Sequence, residues 1–239
     1  MWSDQGGIDH YARADQRVRT QFPSDPLMRR KSRGHDDAPL RRDHFSATMG
    51  CHVWCESGLE ELAMLIADRD PTVVAYACQG LEFVWPRDCA QVSHVVDLIR
   101  WRSDGTVDLV DSHAKFDDDF LLQADLTRAA CEAIGWGYQV FSGLDPAVER
   151  NLRWLAPERH HWVIVGREAL LARVVELAAG PISTGDLCRR ANPAAPFAAC
   201  PLVHYGLWHG LLSMNWQSHL TRRTLVWASP TRTWHDDAA

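Results

Sequence analysis

The spacing of apolar and polar residues in the first two thirds of the chain predicts an alternation of helices and strands. The pattern predicts helices over 57–68 and 120–134 and strands over 73–77, 81–85 and 136–141. Ser57 can cap the first helix, and Glu60 stands where the acidic member of a capping box belongs. Gly135 follows the second helix and is typical of a helix C-cap. This order indicates a small α/β domain.

Residues 94–115 contain two apolar runs on either side of an Asp-Gly pair, which predicts a β-hairpin. Asp97 and Asp111 lie on the two arms, where they can face each other across the ladder. Two carboxylates on adjacent strands are costly unless a cation lies between them. A basic residue, His113 or Lys115, follows closely. The hairpin therefore predicts a place where Mg²⁺ can be held against a phosphate.

The last third of the chain has mainly helical periodicity. The pattern predicts helices over 145–155 and 167–179, a short helix opened by 182–187, a longer helix over 201–216, and a two-stranded wing within 220–228. Gly180 is expected to close the second of these helices. A short helix, a turn, a second helix and a β-wing resemble a winged helix-turn-helix. Residues 1–45 are broken by Pro and Gly and are expected to be irregular.

Composition indicates a folded protein with a core, but it does not identify a function. The 239 residues carry a formal net charge of -6, and 46% are hydrophobic, which is enough for a core. Residues 11–43 hold nine Arg or Lys against five Asp, so this segment is basic although the whole chain is acidic. Such a basic segment can contact phosphate groups, or it can be a solvated terminus. The seven cysteines form no C-x-x-C pair, and no apolar run is long enough to span a bilayer. We therefore expect a cytoplasmic protein.

Three residues in the last third, Cys200, His204 and His209, have side chains that can bind zinc. A structural zinc site needs four ligands at finger-like spacing, and these three residues have neither the number nor the spacing. A buried helix bearing small residues explains them better, so the sequence predicts core packing here rather than a metal site.

Several short motifs follow one another in a characteristic order. They are Glu56-Ser57-x-Leu59-Glu60, Pro71-x-Val73-Val74, Gln79, His94-x-x-Asp97, an Asp-Gly turn into Val110-Asp111, Cys131-x4-Trp136, Asn151-Leu152-Arg153-Trp154-Leu155-x3-Arg159-His160, Gly180-Pro181-Ile182 and Leu207-Trp208-His209-Gly210-Leu211-Leu212. In this order and spacing, the chain resembles the TnsA-type endonuclease subunit of heteromeric transposases, in its actinobacterial branch. The resemblance covers about residues 17–228.

The resemblance implies an α/β fold in which a restriction-endonuclease-like mixed sheet is flanked by helices and followed by a mostly helical, winged-helix-like domain. On this basis we expect an N-terminal arm over 1–45, a nuclease domain over 46–145 and a C-terminal domain over 146–239. The family implies Mg²⁺-dependent hydrolysis of double-stranded DNA at transposon ends, with Mn²⁺ as a substitute. It also implies a DDE-type transposase partner, an AAA+ ATPase regulator, no membrane, and a bacterial cytoplasmic location at the nucleoid when assembled.

The resemblance also implies roles for individual acidic residues. Glu60, Asp97 and Asp111 match the metal ligands, and Asp97 matches the central ligand that bridges the ions. Gln79 and His94 match accessory residues near the site.

The position of the family's catalytic lysine is open in this chain. Asp111 matches the first member of the (Asp/Glu)-x-Lys signature, which places His113 where the lysine belongs. The alternative frame takes Lys115 as the lysine and places His113 where a carboxylate or Gln is expected. In a regular strand, residues 111, 113 and 115 share one face, so both frames bring the same residues to the metal.

Two other functions are compatible with the sequence. The chain could be a catalytically degenerate structural subunit that recruits the transposase or the ATPase through its C-terminal half. It could also be a stand-alone restriction-type nuclease that cuts a specific sequence without partners.

Overall fold

The computed structural model describes residues 1–15, 42–85 and 93–230. Most of the predicted basic arm lies outside these ranges. The chain divides into two compact units, one over Met1–Gly143 and one that begins at Leu144. The boundary expected between 145 and 146 falls beside this division. Each unit is described by itself below.

The N-terminal unit alternates strands and helices. In chain order its elements are β1 (Trp2–Ser3), β2 (Asp9–His10), β3 (Arg42–Phe45), β4 (His52–Cys55), α1 (Gly58–Arg69), β5 (Val73–Cys78), β6 (Glu82–Val84), β7 (Ser93–Val95), β8 (Leu98–Arg102), β9 (Val107–Ser112), α2 (Asp118–Ile134) and β10 (Gly137–Phe141). The main sheet has the order β10-β9-β8-β5. Strand β8 runs antiparallel to β5 and β9, whereas β10 runs parallel to β9, so the sheet is mixed.

Both faces of this sheet are covered. Leu98 and Val110 belong to a buried cluster with residues of α1, whereas their chain neighbours Ile99 and Leu109 belong to a second cluster with residues of α2. Neighbouring residues in a strand point to opposite faces, so each central strand contributes to both clusters. Burial on both faces explains why β8 and β9 have runs of apolar residues instead of a strict alternation.

The two predicted helices of this unit are confirmed, and local chemistry accounts for their ends. The Ser57 hydroxyl accepts a hydrogen bond from the Glu60 N–H at the start of α1, and the Asp117 carboxylate accepts one from Phe120 N–H at the start of α2. Helix α2 ends at Gly135, which has a left-handed φ of 70°.

Two predictions for this unit are wrong in detail, one for the hairpin and one for the N-terminal residues. The apolar run that begins at His94 is not one hairpin arm, because it is interrupted at Asp97. Strand β7 pairs with β6 in a separate two-stranded sheet, and only β8 pairs with β9 around the turn at Gly105. Residues 1–45 also contain more structure than expected, since β1 pairs with β2, and β3 pairs with β4.

The C-terminal unit contains α3 (Pro146–Leu155), α4 (Glu168–Leu177), β11 (Ile182–Ser183), α5 (Thr184–Ala191), α6 (Cys200–Trp208), β12 (Leu212–Met214) and β13 (Leu225–Ala228). Short 3-10 turns lie at Ala156–Glu158, His161–Val163 and Pro196–Ala199. The strands form an antiparallel sheet in the order β11-β13-β12.

Three expectations for this unit need correction. The helix predicted over 201–216 ends at Trp208, because Gly210 has a left-handed φ of 66° and the chain then enters β12. Helix α4 ends at Leu177, with Ala178 rather than Gly180 as its cap residue. The wing predicted as two strands within 220–228 contributes only β13, which pairs with β12 at Leu212–Met214 and with β11 at Ile182–Ser183 in a three-stranded sheet. Within the described ranges, every helix falls short of the length and apolarity needed to cross a bilayer.

Candidate acidic site

The register of the central hairpin places Asp97 and Asp111 opposite each other. Leu98 pairs with Val110, so the next position outward on each strand is an aspartate. The Asp97 N–H lies 3.3 Å from Oδ1 of Asp111, and the Ser112 N–H donates to Oδ2 of Asp97 at 2.7 Å. The structure therefore brings together the two acids that the sequence singled out, at the end of the two central strands.

Glu60 lies in the first turn of α1, on the side of the sheet that this helix covers. Its Oε2 accepts a hydrogen bond from the Glu56 N–H at 3.0 Å, and the Gln79 side chain also bonds to its carboxylate. Burial raises the pKa of Glu60, and the charge of Glu56 raises it further, although these hydrogen bonds oppose the change. The capping role read from the sequence therefore coexists with a partly desolvated carboxylate.

Asp97 has the most strongly perturbed surroundings of the three acids. The residue is half-buried, and burial of its carboxylate raises its pKa well above the ordinary value for aspartate. The charges of Asp111 and then Glu60 raise this pKa further, whereas the hydrogen bond from Ser112 opposes them. The ionised form of Asp97 is therefore disfavoured by its acidic neighbours, which is the situation that a bound cation relieves.

Asp111 is buried, with 2% of its surface exposed, and is held by side chains from two other strands. His94 Nε2 lies 2.8 Å from its Oδ2, and the Tyr138 hydroxyl donates to the same oxygen at 2.6 Å. Gln123 Nε2 lies 2.6 Å from His94 Nδ1 and extends the network to α2. Burial and the Asp111 charge raise the pKa of Tyr138, so the phenol stays protonated and can donate.

The sequence analysis missed Tyr138 and Gln123. A partial signal for Tyr138 existed in the strand predicted over 136–141, and the structure adds that this strand, β10, is parallel to β9 with Val140 paired to Asp111. Tyr138, two residues earlier, is on the same face of the sheet as Asp111. Gln123 has no comparable signal, since its contact depends on how α2 packs over the separate strand β7.

The two predicted accessory residues both contact the acids. Gln79 follows β5 with a φ of 49°, a left-handed conformation that is uncommon for residues other than glycine. Its N–H donates to the Asp97 carbonyl oxygen at 3.0 Å, while its side chain bonds to Glu60. Gln79 thus links two of the acids, and His94 orients the third.

The two candidates for the lysine role are not on one strand face, which corrects that expectation. Strand β9 ends at Ser112, so neither candidate continues it. The His113 N–H donates to the Phe141 carbonyl oxygen at 2.9 Å, and the His113 ring stacks on Phe120 with centroids 3.9 Å apart. Lys115 is exposed beyond the end of the strand.

The donor chemistry of the three acids suits Mg²⁺ or Mn²⁺, which prefer carboxylate oxygens. Burial first, and then the charges of Asp111 and Glu60, raise the pKa of Asp97, and a bound cation would relieve both effects. As placed, however, the side chains do not close into a ligand set. In the part of the chain that the structure describes, no group of three or more His, Cys, Asp or Glu is arranged to hold a metal ion.

Two of the three C-terminal residues considered for zinc, His204 and His209, have polar contacts in the structure. His209 Nε2 lies 3.0 Å from the Arg159 carbonyl oxygen, and His204 Nδ1 lies 3.7 Å from a carboxylate oxygen of Glu158. Burial lowers the pKa of His204, although Glu158 opposes this effect.

Comparison with known proteins adds no family assignment. The sequence matches no protein-family model, and no curated protein shows significant similarity to it. A functional proposal therefore rests on the geometry of the acidic site and on the motifs in the sequence.

Proposed function

We propose that the chain is a metal-dependent DNA endonuclease subunit of a heteromeric transposase, which hydrolyses a phosphodiester at transposon ends. The observation that carries the proposal is the placement of Asp97 opposite Asp111, with Glu60 close enough to raise the pKa of Asp97. A desolvated carboxylate whose ionisation is opposed by neighbouring acids is typical of sites that bind a divalent cation or share a proton. The resemblance of the motifs to the TnsA-type family favours a bound cation over a shared proton. It is also the reason for proposing transposon ends as the substrate.

The architecture is compatible with this proposal. A mixed sheet flanked by helices agrees with the restriction-endonuclease-like domain that the resemblance implies. The helices and three-stranded sheet from Leu144 onward agree with a winged-helix-like domain. Under this proposal the acidic site belongs to the nuclease domain.

Glu60, Asp97 and Asp111 are the residues that would hold the metal. A divalent ion there would supply Lewis-acid chemistry for the in-line attack of water on the phosphodiester, which leaves a 3′-hydroxyl and a 5′-phosphate. The protein contributes preorganisation: His94 and Tyr138 fix Asp111. Side chains held by a surrounding hydrogen-bond network need less reordering when substrate binds.

We propose His113 rather than Lys115 for the lysine role. His113 directly follows Ser112, whose N–H is bonded to Asp97, and its own N–H and ring are held by Phe141 and Phe120. The His113 ring is thus fixed next to the end of β9, whereas Lys115 is exposed beyond the end of the strand.

The partners in this proposal are transposon-end DNA, a DDE-type transposase and an AAA+ ATPase regulator in the bacterial cytoplasm. The net charge of -6 fits a subunit that obtains most of its DNA affinity from the assembly. Under the same proposal, the isolated chain binds DNA weakly and does not cut it at a specific sequence.

The direct test is end cleavage by the assembled complex in Mg²⁺. Wild type, Asp97→Ala and the matched exposed-site variant Asp125→Ala are each combined with the transposase and end DNA. We expect wild type and Asp125→Ala to cut the transposon flank and Asp97→Ala to lose that cut. Equal cutting by all three contradicts an endonuclease role for this site.

One observation favours a second candidate, a structural subunit without nuclease activity. The side chains as placed form no three-member ligand group, and Lys115 lies outside the strand. This candidate predicts that Asp97→Ala leaves both end cutting and transposition at the wild-type level, so the same experiment separates the two proposals. Specific cutting by the isolated chain would instead support the stand-alone nuclease.

A further inference from the structure

Two cysteines of the C-terminal unit lie in contact. Cys188 belongs to α5 and Cys200 is the first residue of α6, and their Sγ atoms are 3.3 Å apart. A disulfide requires an S–S separation of about 2.0 Å, so the two atoms need to approach by only about 1.3 Å. A change of that size is within the reach of small side-chain rotations.

Both thiols line one cavity of about 490 Å³. Cys188 is buried, with 5% of its surface exposed, whereas Cys200 is half-buried. Arg189 and Arg222 also line the cavity. Arg189 is paired with the Asp186 carboxylate, so the positive charge of the wall comes mainly from Arg222, which lies over the Phe197 ring. An anionic reagent that enters the cavity therefore meets basic side chains, and of the two sulfurs Cys200 is the more accessible.

We propose that Cys188 and Cys200 form a reversible dithiol–disulfide site that is oxidised by a small anionic disulfide. In the first step the Cys200 sulfur attacks one sulfur of the reagent, which gives a mixed disulfide and releases one reagent thiol. In the second step the Cys188 sulfur attacks the Cys200 sulfur and releases the second reagent thiol. The two protons of the protein thiols leave on the two reagent thiols, and the reagent is reduced as the protein is oxidised.

The order of these steps follows from the surroundings of each sulfur. Burial raises the pKa of Cys188 to about 12, and its contact with Cys200 contributes. A thiol with so high a pKa is a poor first nucleophile near neutral pH, and Cys188 is also the less exposed of the two cysteines. Held in contact with Cys200, it is well placed for the second, intramolecular attack. The second step should become faster as the pH rises, because more of Cys188 is then ionised.

Two other described cysteines, Cys78 and Cys51, have different surroundings. Cys78 is buried and its sulfur lies 3.2 Å from the thioether of Met64, which cannot form a disulfide. Cys51 is exposed and can be attacked by the reagent. Cys51 thus serves as an internal control, since it reports whether the reagent was active.

The test uses the full-length protein, treated with oxidised glutathione, then unfolded, alkylated and mapped by peptide mass spectrometry. We expect a peptide pair joined through Cys188 and Cys200, which is separated by dithiothreitol and is also found in Cys51→Ser. The proposal is overturned if Cys188 and Cys200 are both alkylated while Cys51 carries glutathione. It is also overturned if either residue is joined to a different cysteine.

Two variants test the order of the steps. Cys188→Ser should retain glutathione on Cys200, because the second attack is removed. Cys200→Ser should leave Cys188 unmodified while the protein is folded, because Cys188 is buried. Glutathione on Cys188 in the folded Cys200→Ser protein contradicts the proposed order. The wild-type peptide map tests the disulfide even if a variant fails to fold.

Discussion

Asp68 and Asp97 are two desolvated aspartates of the N-terminal unit with opposite surroundings. The Asp68 side chain is fully buried, and its carboxylate accepts hydrogen bonds from the side chains of Ser46 and Tyr76 and lies 3.0 Å from His44 Nε2. The backbone N–H groups of residues 47 and 48 donate to it as well. Burial alone would raise its pKa, but these donors outweigh it and hold the pKa below the ordinary value.

Asp97 is also desolvated, but its neighbours have the opposite effect. It accepts a hydrogen bond from Ser112, while the carboxylates of Asp111 and Glu60 oppose its ionisation. The comparison shows that burial by itself does not mark a functional acid. An acid surrounded by donors holds the structure together, whereas an acid surrounded by acids is a candidate for binding a cation.

The largest expected effect is the loss of stability when Asp68 is replaced. Asp68→Asn replaces an acceptor that ties His44 and Ser46 to α1, and we expect a loss of about 3–5 kcal/mol in the free energy of unfolding. The control Asp43→Asn alters an exposed pair with His52 and should cost less than about 1 kcal/mol. Urea denaturation measures both, and equal small losses would show that Asp68 is not a structural anchor.

The second prediction concerns Asp97 and has the opposite sign. Without divalent cations, Asp97→Asn should raise the free energy of unfolding near neutral pH, on the order of 1–3 kcal/mol, because an amide avoids the cost that the folded state imposes on ionisation of this carboxyl. The measurement is chemical denaturation in the presence of a chelator. A loss of stability comparable to that of Asp68→Asn would contradict the distinction between the two acids.

The pH dependence sharpens this difference. The pKa of Asp68 is lowered by folding, so its stabilisation is present above the ordinary aspartate pKa of 3.8 and is lost as the pH falls through the folded value. The pKa of Asp97 is raised, so its contribution is most favourable below 3.8 and is lost as the pH rises through the folded value. The stability gain of Asp97→Asn should therefore be small at about pH 4 and larger at about pH 8. A gain that is independent of pH would show that ionisation of Asp97 is not its cause.

The sequence was sufficient to predict the features that depend on local chemistry. The start of α1 at its Ser57 cap, the end of α2 at Gly135 and the opposition of Asp97 and Asp111 all follow from short-range patterns. These features depend on residues that are close in the chain or joined by one turn.

The remaining features depend on contacts between distant segments. His94 lies on a strand that pairs with β6 rather than with β9, so its bond to Asp111 could not be read from the hairpin pattern. Strand β9 ends at Ser112, so His113 and Lys115 do not lie on the strand face that they were expected to share with Asp111. The helix predicted to continue beyond Trp208 was also wrong. An apolar run fits either a helix or a buried strand, and only Gly210 indicates that the helix ends before β12.

A smaller effect is expected for the network around Asp111. Tyr138→Phe removes one donor to the buried Asp111 carboxylate and should cost about 1 kcal/mol in the free energy of unfolding. Tyr11→Phe, at an exposed tyrosine, is the matched control and should have no measurable effect. Denaturation curves that coincide for both variants would show that the Tyr138 hydroxyl does not hold Asp111.

The smallest expected effect is at Lys115. Lys115→Ala should change the free energy of unfolding by less than about 0.5 kcal/mol, because the residue is exposed. In the end-cleavage reaction it should leave cutting intact, whereas His113→Ala should reduce it. Loss of cutting by Lys115→Ala alone would return the lysine role to Lys115 and contradict our choice of His113.

The central claim is that the crowded acids bind a divalent cation, and calorimetric titration with Mn²⁺ tests it most directly. We predict that wild type and Asp125→Asn bind Mn²⁺ with release of protons, since the raised pKa of Asp97 leaves protons to be displaced. Proton release is read by repeating the titration in buffers of different ionisation enthalpy. Asp97→Asn should not bind the ion. Equal binding by Asp97→Asn, or no binding by wild type, would contradict the account.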